Sequence, residues 1–274
     1  MIVCEIPSGR LGNAIFRYMA ASIFLMNYKN AERVKFIDNL HNMTPKSIII
    51  NDGDFQSLIN TTKSLPTFDK GTICVFHGYF QFDLYKKYRK QILKYMKRHK
   101  NDELYCTDYK NGERFFVKEL LAPPSAAANY DVVIHVRLED FIFNKHVIHP
   151  KVLEKIIKTL SKEYKNMCII SNKPTKLIEY EYLSYFTEKY GIKFETNDII
   201  TDFHIMSNAK ILVCSHSTIS WCAALLSDKI EKVFIPDKVM HSHQSFSAPT
   251  DNTVLYPNRV CGEDELRAFF SRKK

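Results

Sequence analysis

Three segments of the chain combine backbone and side chains suited to holding an anion. The first is Ser8-Gly9-Arg10-Leu11-Gly12-Asn13. Its two glycines let the backbone approach a ligand closely, and a helix starting just beyond would offer unpaired N–H groups to a phosphate. The same residues also suit a tight turn with Asn13 as a helix cap. The second is His135-Val136-Arg137-Leu138-Glu139-Asp140. A guanidinium can fork two phosphate oxygens while an imidazole two residues earlier adds a donor. A salt bridge of Arg137 with Glu139 or Asp140 accounts for the spacing equally well. The third is Ser215-His216-Ser217-Thr218-Ile219-Ser220-Trp221, where hydroxyls and free N–H groups at a helix start suit phosphate and also plain capping. No Gly-x-Ser-x-Gly elbow surrounds Ser217, which argues against a Ser-His-Asp hydrolase.

Two further clusters invite a metal and are read otherwise. Asn51-Asp52-Gly53-Asp54 contains Asp-x-Asp, but it is also ordinary turn chemistry, and a turn is expected. His241 and His243 have no Cys or acid cluster beside them in sequence, so an exposed loop or an acceptor contact is expected there.

Elements alternating along the chain must position these segments. Short apolar runs predict strands at 2–6, 34–38, 47–50, 72–76, 131–136, 167–171, 192–195, 210–214 and 231–235. Helical periodicity predicts helices at 13–27, 83–98, 150–164, 174–189, 201–208, 217–227 and 263–271. Strands alternating with helices indicate an α/β protein with parallel sheets covered on both faces. Each anion-suited segment then follows a strand end, where doubly wound folds place ligands. The periodicity breaks at 118–129, around Ala122-Pro123-Pro124. This predicts an N-terminal unit 1–122, a second unit 129–262 and a terminal helix 263–274.

Composition excludes several classes. The chain has 274 residues, 45% hydrophobic and 25% charged, an ordinary globular balance. The net charge of +9 comes from 39 Lys and Arg against 30 acids, and residues 84–100 hold eight of those cations with no acid. The rest is near neutral, unlike a histone-like binder. The basic segment reads as the solvated face of an amphipathic helix, with a peripheral membrane or other anionic contact as its functional alternative. Seven cysteines without a Cys-x-x-Cys spacing, four of them (Cys4, Cys74, Cys168, Cys214) in apolar runs, predict buried free thiols. No signal peptide or membrane span is evident, so a cytoplasmic location is expected.

Taken in order, the segments resemble one family. Gly9-Arg10-Leu11-Gly12-Asn13-Ala14-Ile15-Phe16 is similar to the Gly-x-x-Gly-Asn-Gln-x-Phe opening of alpha-1,2-fucosyltransferases and protein O-fucosyltransferases. Gly78-Tyr79-Phe80-Gln81 with Tyr85 resembles their Gly-Tyr-Phe/Trp-Gln segment. His135-x-Arg137 and Asp140 fall on His-x-Arg-Arg-x-Asp. Asp202, Met206-Ser207 and Ser215-x-Ser217-x-x-Ser220-Trp221 match the Asp-x-x-x-Met-Ser and Ser-x-Ser-x-Ser-Trp region. The resemblance implies a two-domain GT-B fold, with two Rossmann-type domains whose sheets face each other across a cleft. It further implies an inverting glycosyltransferase that needs no metal and no cofactor besides its nucleotide-sugar donor. On that footing Gly12, Asn13, His135, Arg137, Ser171, Asn172, Asp202, Ser215, Ser217 and Thr218 meet the donor. Arg137, Glu139 and Asp140 are the catalytic candidates, and Tyr79 and Gln81 lie on the acceptor side.

Departures from the family bear on the donor. Leu138 replaces the second Arg, Glu139 the following Gly and Ala14 the Gln, while Ser171-Asn172-Lys173 stands where acids are common. Guanine's adjacent N–H donors suit a carboxylate, whereas uracil can be read by amides. The expected donor is therefore GDP-fucose or a UDP-pentose such as UDP-xylose, with a glycan hydroxyl as acceptor. A non-catalytic glycan or nucleic-acid binder is the alternative, and no RNA-binding signature supports its nucleic-acid form.

Overall fold

The computed structural model describes residues 2–5, 10–27, 34–37, 47–60, 73–82, 84–107, 112–122, 129–237 and 248–272. Ser8-Gly9 and His241-Ser242-His243 lie outside them. The chain divides into two units, Met1–Ala122 and Pro123–Lys274.

The first unit runs β1 (Ile2–Glu5), α1 (Leu11–Asn27), β2 (Val34–Ile37), β3 (Ser47–Ile50), α2 (Asp52–Asn60), β4 (Ile73–Phe76), α3 (Tyr85–Arg98), β5 (Glu103–Thr107), β6 (Gly112–Phe116) and α4 (Val117–Leu121). Strands β2-β1-β4-β3 form a parallel sheet, and β5 and β6 pair antiparallel. Helix α1 is apolar nearly all round, and every residue from Leu11 to Leu25 except Asn13 is buried, so it is a core helix rather than a surface one. Its start at Leu11 puts Asn13 inside the first turn, not at the cap. The basic stretch forms α3 as the periodicity predicts. Tyr85, Ile92, Leu93 and Met96 are buried, while Lys87, Lys90, Lys94, Lys97 and Arg98 are exposed.

The segment read as a turn at 51–54 instead opens α2. Asn51 Oδ1 accepts the Asp54 N–H at 2.9 Å, and Asp54 Oδ2 accepts the Asn51 N–H at 3.2 Å. Asn and Asp make the same short backbone hydrogen bonds in turns and at helix starts, which is why the residues alone do not separate the two.

The second unit continues with β7 (Val132–His135), α5 (Glu139–Phe143), β8 (Val147–Ile148), α6 (Pro150–Leu160), β9 (Met167–Ile170), α7 (Leu177–Tyr190), β10 (Lys193–Glu195), α8 (Ile199–Asn208), β11 (Ile211–Val213), α9 (Thr218–Leu226), β12 (Lys232–Pro236), β13 (Thr253–Tyr256), β14 (Val260–Cys261) and α10 (Glu263–Ser271). The six-stranded sheet is parallel throughout, in the order β10-β9-β7-β11-β12-β13. By the unit's own count this is 3-2-1-4-5-6, the doubly wound order with its reversal between β7 and β11. The α/β expectation holds in both units. Strand β13 and the short β8–β14 pair were not expected from sequence. Helix α10 packs into the core of this unit, with Leu266, Phe269 and Phe270 joining Tyr182 and Phe186 of α7. Cys74, Cys106, Cys168, Cys214, Cys222 and Cys261 are buried free thiols, as expected for Cys74, Cys168 and Cys214, while the Cys4 side chain lies outside what is described. No helix among the described residues is long and apolar enough to cross a membrane.

Candidate functional site

Strand order decides which sequence segments meet. In the second unit β7 and β11 are neighbours, with Ile134 opposite Val213, so the segments leaving their carboxyl ends emerge side by side. His135 Nδ1 and Ser215 Oγ share a hydrogen bond of 3.1 Å across 80 residues of chain. His135 is buried, and that burial, with the Arg137 charge second, pulls its pKa down to about 3. The imidazole is therefore neutral at ordinary pH and acts through one N–H rather than through charge.

Arg137 supplies the charge. Its Nε and Nη2 donate to the two carboxylate oxygens of Asp140 at 3.1 and 2.7 Å, and its guanidinium lies 4.5 Å from the centre of the Phe141 ring. The salt bridge weighed from spacing alone thus forms, with Asp140. Three guanidinium N–H bonds, including both on Nη1, have no acceptor among the described residues. Asp140 is consequently the clamp that aims the arginine. An acceptor hydroxyl would have to compete with the guanidinium for its oxygens. Glu139 begins α5 with φ of +29°, a conformation that L side chains rarely adopt.

Neither Ser215 nor Ser217 caps α9. Ser215 is engaged with His135, and Ser217, at the N-cap, makes no side-chain cap hydrogen bond. Both are buried, in the wall of a small cavity that also includes Trp221 and Pro236. The N–H groups of Thr218, Ile219 and Ser220 have no acceptor among the described residues. A helix start without a side-chain cap is an arrangement that favours a phosphate.

The remaining candidates of this unit line the same sheet edge. Ser171 follows β9, buried and with no partner for its Oγ among the described residues, and Asn172 beside it is exposed. Asp202 sits in the first turn of α8, where Asn197 Nδ2 donates to its Oδ1 at 3.1 Å. Burial pushes the Asp202 carboxyl up to about 7, so it is poised to take a hydrogen-bond donor that would compensate its charge.

The first unit has its own reversal, between β1 and β4, which brings the start of α1 to the segment after β4. Gln81 Nε2 donates to Asn13 Oδ1 at 3.2 Å. Asp52, read from sequence only as turn chemistry, organises this segment. Its carboxylate accepts the N–H groups of Tyr79 at 3.3 Å and Phe80 at 2.6 Å, and a Cβ on Gly78 would lie 2.5 Å from its Oδ2. Tyr85 donates its hydroxyl to the Phe80 carbonyl from below. Tyr79 is left about half exposed. Arg17, fully buried on α1, reaches toward the Gly78 carbonyl at 3.5 Å. An arginine on an otherwise apolar face was the available signal for it. The side chains of Asp52 and Asp54 are thus engaged with backbone N–H groups, and no cluster of three metal-ligating side chains occurs among the described residues.

No family model and no curated protein sequence matches the chain. Solved structures do. E. coli heptosyltransferase WaaC with ADP is similar over 100% of both chains at 12% identity, with a TM-score of 0.48. POFUT1 in complex with GDP is similar over 85% of this chain and 97% of its own, at 12% identity and a TM-score of 0.44. POFUT1 with GDP-fucose gives 13% identity and 0.44.

Proposed function

We propose that the chain is an inverting, metal-independent glycosyltransferase that uses a nucleotide-sugar donor. The observation that carries the reading is the meeting of His135 and Ser215 at the strand-order reversal, with the clamped Arg137 two residues after the one and the uncapped start of α9 just after the other. In this reading the donor's diphosphate lies on the Nη1 side of Arg137 and against the N–H groups of Thr218 to Ser220. His135 and Ser217 complete the cradle. The bond between the sugar's anomeric carbon and the β-phosphate oxygen breaks as the acceptor oxygen attacks from the opposite face. Negative charge grows on the leaving diphosphate, where an already oriented guanidinium and fixed dipoles stabilise it without reorganising. The acceptor proton goes to a carboxylate, and Glu139 is the proposed base, since a proton taken up by Asp140 would displace the guanidinium from its oxygens. Ser171, Asn172 and Asp202 are assigned to the donor's ribose and base; Gly12 and Asn13 are kept as proposed donor contacts, and Tyr79 and Gln81 as proposed acceptor contacts. Asp202 supports guanine, as in GDP-fucose, while Asn172 supports uracil, as in a UDP-pentose.

The test is a thermal-shift panel of nucleoside diphosphates followed by turnover of the matching nucleotide sugars. Stabilisation by one diphosphate class and transfer that persists in EDTA is the expected result. A folded protein that no nucleoside diphosphate stabilises would refute the reading.

A further inference from the structure

A cavity of about 410 Å³ in the second unit is lined by His149, Lys151, Arg259, Glu265, Phe269 and Arg272, none of which is assigned to the donor. The β8–β14 pair builds it. Val260 lies opposite Ile148, and the His149 N–H donates to the Arg259 carbonyl at 2.9 Å, so the start of α6 and the residues before β14 are held together. Helix α10 follows β14 and brings Glu265, Phe269 and Arg272 to the same place.

His149 is only 6% exposed, and its Nδ1 accepts the Lys151 N–H at 3.1 Å. The proton of the neutral ring is therefore on Nε2, and this N–H has no acceptor among the described residues. Phe269 packs edge-to-face against the imidazole at 5.8 Å. Lys151, Arg259 and Arg272 make no ion pair among the described residues. Glu265, the one acid in the wall, is held by the Gly262 N–H at 3.3 Å as part of the α10 cap. The backbone N–H groups of Lys151, Val152 and Leu153 are already bonded to His149. Recognition in this cavity must come from side chains.

We propose that this cavity binds a phosphate monoester, at a site separate from the donor loops. The donor count selects the ligand class. Two guanidinium forks, one ammonium and one imidazole N–H offer about six directed bonds, which the three terminal oxygens of a phosphate can accept and the two of a carboxylate cannot. Three cations less Glu265 leave two positive charges, matching a phosphate dianion. The Phe269 ring gives the ester's organic part an apolar face.

The test uses the full chain and phenyl phosphate as probe, titrated calorimetrically beside inorganic phosphate and benzoate. Phenyl phosphate is expected to bind saturably to the wild type and equally to Arg137→Ala. The Arg259→Ala/Arg272→Ala double variant is expected to weaken it at least tenfold while leaving nucleoside diphosphate binding unchanged. Both arginines are exposed, and should the double variant not fold, the single variants are each expected to lose severalfold. Affinity unchanged in the arginine variants, loss in Arg137→Ala, or no saturable binding would overturn the site. Benzoate binding as tightly as phenyl phosphate would overturn the phosphate assignment, and inorganic phosphate doing so would overturn the ester.

Discussion

On the proposed function, replacing Arg137 by Ala should separate ligand binding from folding, because Asp140 takes two of its N–H groups and the diphosphate would take the others. The guanidinium is well covered, with its side chain 16% exposed, whereas Asp140 is 34% exposed and can be rehydrated when its partner goes. With the acid left solvated, loss of the ion pair costs about 1 kcal/mol, the upper end for exposed pairs. For a unit of this size that is a fall in melting temperature of about 2–4 °C or less. A hydrogen bond to a charged group is worth roughly 1.5–3 kcal/mol, so nucleoside diphosphate affinity should drop roughly 10- to 150-fold. Turnover should fall further. Charge on the leaving phosphate is largest in the transition state, and loss of one such donor costs about 3–4 kcal/mol in the barrier. The assay is calorimetric titration with the diphosphate that stabilises the wild type, a melting curve of the same sample, and donor turnover. Diphosphate affinity within twofold of wild type, in a folded variant, would refute the phosphate role. A melting temperature lowered by much more than a few degrees would show instead that Arg137 is chiefly structural.

Four other outcomes are expected. Asp140→Asn, which leaves Arg137 only one oxygen acceptor, should weaken diphosphate binding and turnover together, whereas Glu139→Gln should lower turnover with binding unchanged; the reverse pattern would exchange their roles. At Glu139 the positive φ costs about 1–2 kcal/mol for a non-glycine residue, offset by about 0.5–1 kcal/mol of glycine's chain entropy. Glu139→Gly should therefore be neutral to slightly stabilising in denaturant unfolding, and a clear loss of stability would contradict the strained backbone. Gly78→Ala should destabilise the first unit by about 1–3 kcal/mol, since its Cβ would stand 2.5 Å from Asp52 Oδ2, and an unchanged urea midpoint would refute that packing. The pH profile should carry two opposed contributions. Asp202 has its folded pKa raised to about 7 from 3.8, so the folded state binds more protons in that window and its contribution is lost as pH rises through it. His135 has its folded pKa lowered to about 3 from 6.5, so the unfolded state binds more protons there and its contribution is lost as pH falls. The stability of Asp202→Asn relative to wild type should therefore grow between about pH 4 and 7, and a constant difference would refute the buried carboxylate.

The strand–helix alternation was legible because burial imposes periods of two and 3.6 on any element of sufficient length. Helix α3 followed its periodicity closely, and the residues expected to end strands β7, β9 and β11 do lie at or just beyond those ends. Short elements escaped. Strand β5 alternates buried Leu104 and Cys106 with exposed Glu103, but two buried positions are too few to distinguish from chance. The opening of α2 was hidden because Asn-Asp-Gly-Asp makes the same local bonds in a turn. The choice between Glu139 and Asp140 as partner of Arg137 was also out of reach. Both lie within arm's length in sequence, and the folded backbone turns Asp140 to the guanidinium.

The sequence alone determined the residue types and the strand ends that carry them, since a His-x-Arg after an apolar strand or a Ser-rich helix start is a local property. Pairing was decided by tertiary structure. His135 meets Ser215 across 80 residues, Asn13 meets Gln81 across 68, and Asp52 reaches Phe80 across 28. Such contacts depend on which strands are neighbours, and strand order follows from the packing of helices on both faces of a sheet rather than from any one segment. The phosphate cavity shows the same division. Lys151, Arg259 and Arg272 are scattered cations in sequence, and the β8–β14 pair with α10 behind it makes them one site.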